Sequence, residues 1–299
     1  METPVTESVN NNSLTIDEMS SLDIVNLMHQ EDQTIQKAIQ DNIEKIAEAI
    51  DLIVNKWKIG GRVFIVGAGT SGRIGILDSV ELPPTFSINP ERWKGIIAGG
   101  KEAMWEPLEQ HEDDQNNVIQ ELQHDSFCEK DVLIAISASG STPFSVAALR
   151  YANQVKATTI SISCNQQSIS SIMSDIAIEL VVGPEIIRGS TRLKAGTAQK
   201  IAINMISTVT MIRLGKVYQN EMIDMMLINK KLVKRGNEML KELTGISDQQ
   251  AENLMKETNN QLKNAVFMAI TNSSLQESEM YLHKAEGHLK QAIKSYLND

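Results

Sequence analysis

Cysteine is scarce. Only Cys128 and Cys164 occur among 299 residues, far apart and outside any C-x-x-C spacing. That argues against a disulfide framework and against a thiolate zinc site, so both thiols read as buried structural groups. The five histidines, His29, His111, His124, His283 and His288, form no H-x-x-x-H or H-E-x-x-H pair, and no metal site is expected from them. Positive charge is short as well: 28 Lys and Arg stand against 38 Asp and Glu, a net charge of -10. A general surface for nucleic acid or for an anionic membrane needs clustered cations to replace counterions, so neither partner is expected, although a local cationic pocket remains allowed. No apolar run approaches the roughly 18 residues of a membrane span. The opening METPVTESVNNN lacks the basic-then-apolar order of a secretory signal, and a cytoplasmic chain is expected.

What is present reads as a folded chain. Hydrophobic residues at 41% and charged residues at 22% exclude wholesale disorder, and the length suits one large domain or two of roughly 150 residues each. Residues 1 to 14 are polar, rich in asparagine and without hydrophobic period, and are expected to be a mobile arm. Ile35, Ile39, Ile43, Ile46, Ile50 and Ile53 recur at spacings of three and four, which predicts one long helix stopped by Gly60 and Gly61.

From Arg62 the pattern changes to short aliphatic runs: VFIV at 63 to 66, GIIA at 95 to 98, VLIAIS at 132 to 137, TTISIS at 158 to 163 and IAIEL at 176 to 180. Such runs are strands buried on both faces. Their alternation with helical stretches predicts an α/β fold, a doubly wound parallel sheet flanked by helices. A buried helix is expected over Ala195 to Leu214. Beyond about Tyr218 no strand signal is left; Ser247 opens a capped helix, and a small C-terminal helical bundle is expected after Gly245. Met205, Met211, Met222, Met225 and Met226 form a methionine-rich patch that reads as core or interface filling.

In an open parallel sheet, ligands sit beyond the carboxyl ends of the strands. Three segments near those ends combine glycine with small hydroxyls: GAGTSGR at 67 to 73, SASGSTP at 137 to 143 and GSTRLKAGT at 189 to 197. Thr70, Ser71, Ser137, Ser139, Ser141, Thr142, Ser190, Thr191 and Thr197 can donate hydrogen bonds beside free helix-start N–H groups, a composition suited to a phosphate. Arg73, Arg192 and Lys194 supply balancing charge. Any one of these loops, taken alone, is equally a Ser/Thr helix cap.

Gly67, Gly69 and Gly72 also match G-x-G-x-x-G, but the second strand ending in Asp or Glu that would hold a dinucleotide ribose does not follow. The tight turn is retained and the dinucleotide is not. Two carboxylate features remain. Glu81 stands before Pro83 and Pro84, where a helix is expected to stop, and partial desolvation there suits a general acid. In LEQHEDD, Glu109 and Glu112 share one helical face, and crowding by Asp113 and Asp114 favours a protonated member; the alternative is a solvated acidic face.

The runs GAGTSGRIGILDSVELPPTF, IAGG at 97 to 100, ASGSTP at 138 to 143, ISCN at 162 to 165 and GSTRLKAGTAQKIAINMIS at 189 to 207 closely resemble the N-acetylmuramic acid 6-phosphate etherases, which are sugar-isomerase (SIS) domains. The likeness extends from EDQT at 31 to 34 through INKKL at 228 to 232 and TGIS at 244 to 247, nearly the whole chain. It implies an SIS-type catalytic domain over 15 to 243, a helical module over 244 to 299, a homodimer with sites near its interface, and no cofactor. The implied reaction cleaves the D-lactyl ether by elimination and water addition. By resemblance, Glu81 is the acid and Glu112 the second catalytic glutamate. The resemblance further implies that Thr70, Ser71, Ser137, Ser139, Ser141 and Thr142 hold the 6-phosphate; Arg192 and Lys194, read from the third loop's own composition, are expected to join them as cations. Trp105 and His111 stand where family members vary, which bears on the local helix shape. A non-catalytic sugar-phosphate sensor is the alternative; it would need neither glutamate.

Overall fold

The computed structural model describes residues 4–299. Two helices, α1 (Ser21–Gln40) and α2 (Ile43–Lys58), precede the sheet. The strands and helices then alternate: β1 (Val63–Gly67), α3 (Gly69–Phe86), β2 (Trp93–Ile97), α4 (Gln115–His124), β3 (Val132–Ile136), α5 (Pro143–Gln154), β4 (Thr158–Ser163), α6 (Ile169–Met173), β5 (Ile176–Glu179) and α7 (Lys194–Arg213). All five strands are parallel, in the order β2-β1-β3-β4-β5. The five aliphatic runs therefore become the five strands, each within two residues of its expected bounds.

Both faces of the sheet are covered. On one, Phe64, Val66, Leu133 and Ala135 pack with Val118 and Leu122 of α4 and Phe144, Ala148 and Leu149 of α5. On the other, α3 lies directly on β1: a Cβ added at Gly75 would stand 2.7 Å from the Ile65 Cγ2. Only glycine permits that approach. This is the doubly wound arrangement, and its order places a switch point between β1 and β3, from whose adjacent carboxyl ends the chain leaves to opposite faces of the sheet.

The chain divides into two compact units. One comprises the residues up to Val80 with Pro90–Ser207, the other Glu81–Asn89 with Thr208–Asp299. The second contains α8 (Lys230–Thr244), α9 (Asp248–Glu257), α10 (Leu262–Thr271), α11 (Leu275–Lys284) and α12 (Leu289–Asn298) around Leu240, Met255, Phe267, Leu289 and Ile293. Met225 is buried and Met222 half-buried against that core, and Met211 is buried, whereas Met205 and Met226 are exposed. Gly245, expected as the start of a module, is a left-handed C-cap (φ 74°) inside this unit; Ser247 then opens α9 with a capping box to Gln250.

Four expectations need correction. The long isoleucine helix is two helices, because Asn42 breaks it: its Nδ2 donates to the Ala38 and Glu179 carbonyls (both 2.9 Å) and its Oδ1 accepts from the Glu179 N–H (3.0 Å), while Ile43 is exposed. The proline pair does not stop α3, which ends at Phe86. Proline lacks an N–H but keeps its carbonyl, and that of Pro83 accepts from Ser87 N–H at 2.8 Å. Residues 4–14 are not a loose arm: they form 3-10 turns at Val5–Glu7 and Asn11–Ser13, with Thr6, Asn10 and Ser13 buried. Cys128 is exposed, not buried; Cys164 is buried, and desolvation, with the nearby Glu185 charge, pushes its thiol up to about 12.

Candidate active site

The glycine turn after β1 is built by close backbone contact. A Cβ at Gly67 would meet the Gly72 nitrogen at 2.8 Å, and one at Gly72 would meet the Gly67 oxygen at 2.7 Å and the Ile97 Cγ1 at 2.6 Å. These two positions carry no side chain because there is no room for one. Gly69 differs: its φ is +50°, and a Cβ there would stand 3.1 Å from Glu112 Oε1. The turn that begins α3 thus faces a carboxylate.

Across the switch point the loop after β3 is ordered by its own hydroxyls. Ser137 Oγ lies 2.8 Å from Thr142 Oγ1 and 3.2 Å from Ser139 Oγ, and it accepts from the Gly140 N–H at 3.0 Å. Ser141 Oγ donates to Ser139 Oγ at 3.1 Å. Thr142 occupies the N-cap of α5, yet its hydroxyl makes no capping bond. The helix-cap explanation fails at this position.

One cavity of about 370 Å³ collects these elements. Thr70, Ser71, Ser137, Ser139, Thr142, Ser190, Thr191 and Arg192 line it, joined by Arg73, Glu109, Glu112 and Glu7. Its size lies in the range of small-molecule sites. Three expected residues are placed otherwise. Ser141 is exposed and acts through Ser139. Thr197 turns its hydroxyl to the Leu193 carbonyl at 2.9 Å. Lys194 is buried with its Nζ 2.7 Å from Glu31 Oε2, so its charge is neutralised away from the cavity. Ser71 borders the cavity but donates its hydroxyl to Gln199 Oε1 at 2.8 Å.

The carboxylates separate by environment. Residues 109–113 form a short 3-10 turn and not the expected α-helical face. Glu112 is half-buried there; desolvation first, then the charges of Glu109 and Asp113, pushes its carboxyl above the usual carboxylate value. Asp114 has another task, accepting from the N–H groups of Asn116 and Asn117 to cap α4. Glu81 is exposed rather than desolvated and is not among the residues lining this cavity. Trp105 is 90% exposed.

Sequence comparison fits this geometry. Residues 119–209 match the SIS domain and residues 45–153 the glucokinase regulatory protein N-terminal SIS domain. A Bacillus licheniformis protein named N-acetylmuramic acid 6-phosphate etherase 2 is 53% identical over 289 residues, 97% of each chain. The chain belongs to the N-acetylmuramic acid 6-phosphate etherases. A member from Caldanaerobacter subterraneus subsp. tengcongensis is 45% identical over 98% of this chain and 96% of its own, and one from Vibrio campbellii 42% identical over 98% and 95%.

The SIS match spans β3, α5, β4 and most of α7, the elements that carry two of the cavity's hydroxyl-bearing loops. One lining side chain and one that supports the lining carry no signal in the sequence. Glu7 reaches the cavity from a stretch without period, and Gln199 is one polar residue among several in the α7 sequence.

Proposed function

We propose that the chain cleaves the D-lactyl ether of N-acetylmuramic acid 6-phosphate with water, giving N-acetylglucosamine 6-phosphate and D-lactate. Relatives 42 to 53% identical over nearly the full length bear the name of that activity. Within the chain, the observation that carries the reading is a single cavity lined both by the serine and threonine loops and by Glu112, whose proton affinity is raised. The loops suit the 6-phosphate, with Thr70, Ser139, Thr142 and Arg192 facing it and Ser71, Ser137 and Ser141 holding the loops in shape.

In the ring-opened sugar the C1 aldehyde acidifies the C2 proton, and the lactate oxygen on C3 lies β to that carbonyl. Glu112 removes the C2 proton; its raised pKa makes it the stronger base. The electron pair moves to form the C2–C3 double bond, the C3–O bond breaks, and the lactate oxygen takes a proton, which the family resemblance assigns to Glu81 although that residue does not line the cavity. Water then adds at C3 of the unsaturated aldehyde and C2 regains a proton. Acid-base chemistry on the sugar's own aldehyde suffices for every step.

We further read the active form as a homodimer. Met205, Val209 and Ile212 recur at four and three along α7 with large apolar exposure, and Leu77 and Val80 do so on α3 beside Glu81. A second copy covering the α7 stripe would bury these apolar side chains.

Purified protein incubated with N-acetylmuramic acid 6-phosphate in ¹⁸O-water is expected to release D-lactate without label and a sugar phosphate labelled at its 3-hydroxyl. Absence of lactate while the sugar phosphate still binds would identify a sensor in its place, and label in lactate would overturn the elimination route.

A further inference from the structure

The N-terminal turn brings a carboxylate to the cavity that the reaction scheme leaves unused. Glu7 lines it together with Thr70, Ser139 and Arg192, and a Cβ added at Gly189 would stand 3.4 Å from Glu7 Oε2. Among the described residues no cation pairs with this carboxylate. Its main chain, by contrast, is firmly held. Arg188 Nε donates to the Glu7 carbonyl at 2.7 Å. The preceding Thr6 is buried; its N–H donates to Asn165 Oδ1 (3.3 Å), and Asn165 Nδ2 donates back to Thr6 Oγ1 (3.0 Å). That same amide also donates to the Ala138 and Ser139 carbonyls at 3.2 and 3.3 Å. One side chain therefore ties the N-terminal turn to the serine loop. Asn10 adds a second anchor, its Nδ2 donating to Glu31 Oε2 at 2.8 Å and to the Pro184 carbonyl at 3.3 Å.

An acidic group in a cavity of phosphate-binding character is unfavourable for the phosphate itself, since like charges repel. It is suited instead to the hydroxyls and the acetamido N–H of an amino-sugar phosphate, which are donors that require an acceptor. We propose that Glu7 is a specificity-determining residue of this site: its carboxylate accepts a hydrogen bond from a hydroxyl or amide of the sugar, and the anchored turn presents it against Gly189. The inference rests on the etherase reading for the identity of the sugar.

Opposite signs test it. Glu7→Gln keeps the size and every main-chain anchor but removes the charge. Its KM for N-acetylmuramic acid 6-phosphate is expected to rise about tenfold, the weakening of one hydrogen bond when its acceptor is neutral instead of charged, with kcat changed less than threefold. Inorganic phosphate, as a competitive inhibitor, is expected to bind as well or better. A KM within twofold of wild type overturns the proposal, as does parallel weakening of sugar phosphate and inorganic phosphate, which would mean that Glu7 only supports the fold. Wild-type protein that releases no lactate would instead defeat the etherase reading, and the same comparison is then made by calorimetric binding of N-acetylglucosamine 6-phosphate and inorganic phosphate.

Discussion

Glu112 combines two demands that pull against each other. The role of base proposed for it calls for a carboxylate of raised proton affinity, and the surroundings that raise it, burial first and then Glu109 and Asp113, penalise the charged form in the folded chain. A carboxyl that titrates higher when folded binds its proton more tightly in that state. Its contribution to stability is complete below the unfolded carboxylate value and is lost as pH rises through the folded one. Glu112→Gln holds the side chain neutral at every pH. Its melting temperature is therefore expected to exceed that of the wild type near pH 8, with the difference shrinking towards pH 4, as differential scanning calorimetry would record. Turnover in the same variant is expected to fall by roughly 10²- to 10⁴-fold, the usual contribution of a positioned base. In the wild type kcat should decline on the acid side as Glu112 takes up its proton. A stabilised variant with normal turnover would remove Glu112 from the mechanism.

Between α2 and the sheet the decisive contact is a side chain that behaves like a strand. β5 is an edge of the sheet, and the Asn42 amide bonds both the N–H and the carbonyl of Glu179 upon it. Asn42→Ala leaves these backbone groups without a partner and is expected to cost about 2 to 3 kcal/mol in urea unfolding. Asn42→Asp should recover little, because a carboxylate cannot donate to the Glu179 carbonyl. The break between α1 and α2 was illegible in the sequence for the same reason: the isoleucine period runs through it, and the partner of Asn42 lies 137 residues away. The strands were legible because burial on both faces writes a continuous aliphatic run. So were the hydroxyl loops, where glycine and serine accumulate at strand ends. The Thr6–Asn165 pairing that fixes the N-terminal turn, 159 residues apart, leaves no local pattern, and Lys194 looked available only because Glu31, its ion-pair partner, is equally remote.

At the scale of the whole molecule, apolar exposure and thiol placement lead to two measurements. The exposed stripe on α7 is expected to be covered by a second chain, giving a mass in light scattering of twice 33.1 kDa. Ile212→Glu puts a charge in that stripe and should yield single chains with unchanged helical circular dichroism and reduced turnover; an Ile212→Glu protein that stays dimeric would move the interface elsewhere. The two thiols differ sharply in burial. Cys164, with its thiol up to about 12, offers almost no thiolate at pH 8, while Cys128 lies in solvent just ahead of β3. The cavity lies beyond the other end of that strand, about 16 Å further along by strand rise. A maleimide dye should therefore label the native chain once and leave lactate release unchanged, and a second thiol should react only in denaturant. The wild-type sequence thus carries its own spectroscopic handle, at which tumbling and subunit exchange can be followed during turnover without altering a residue.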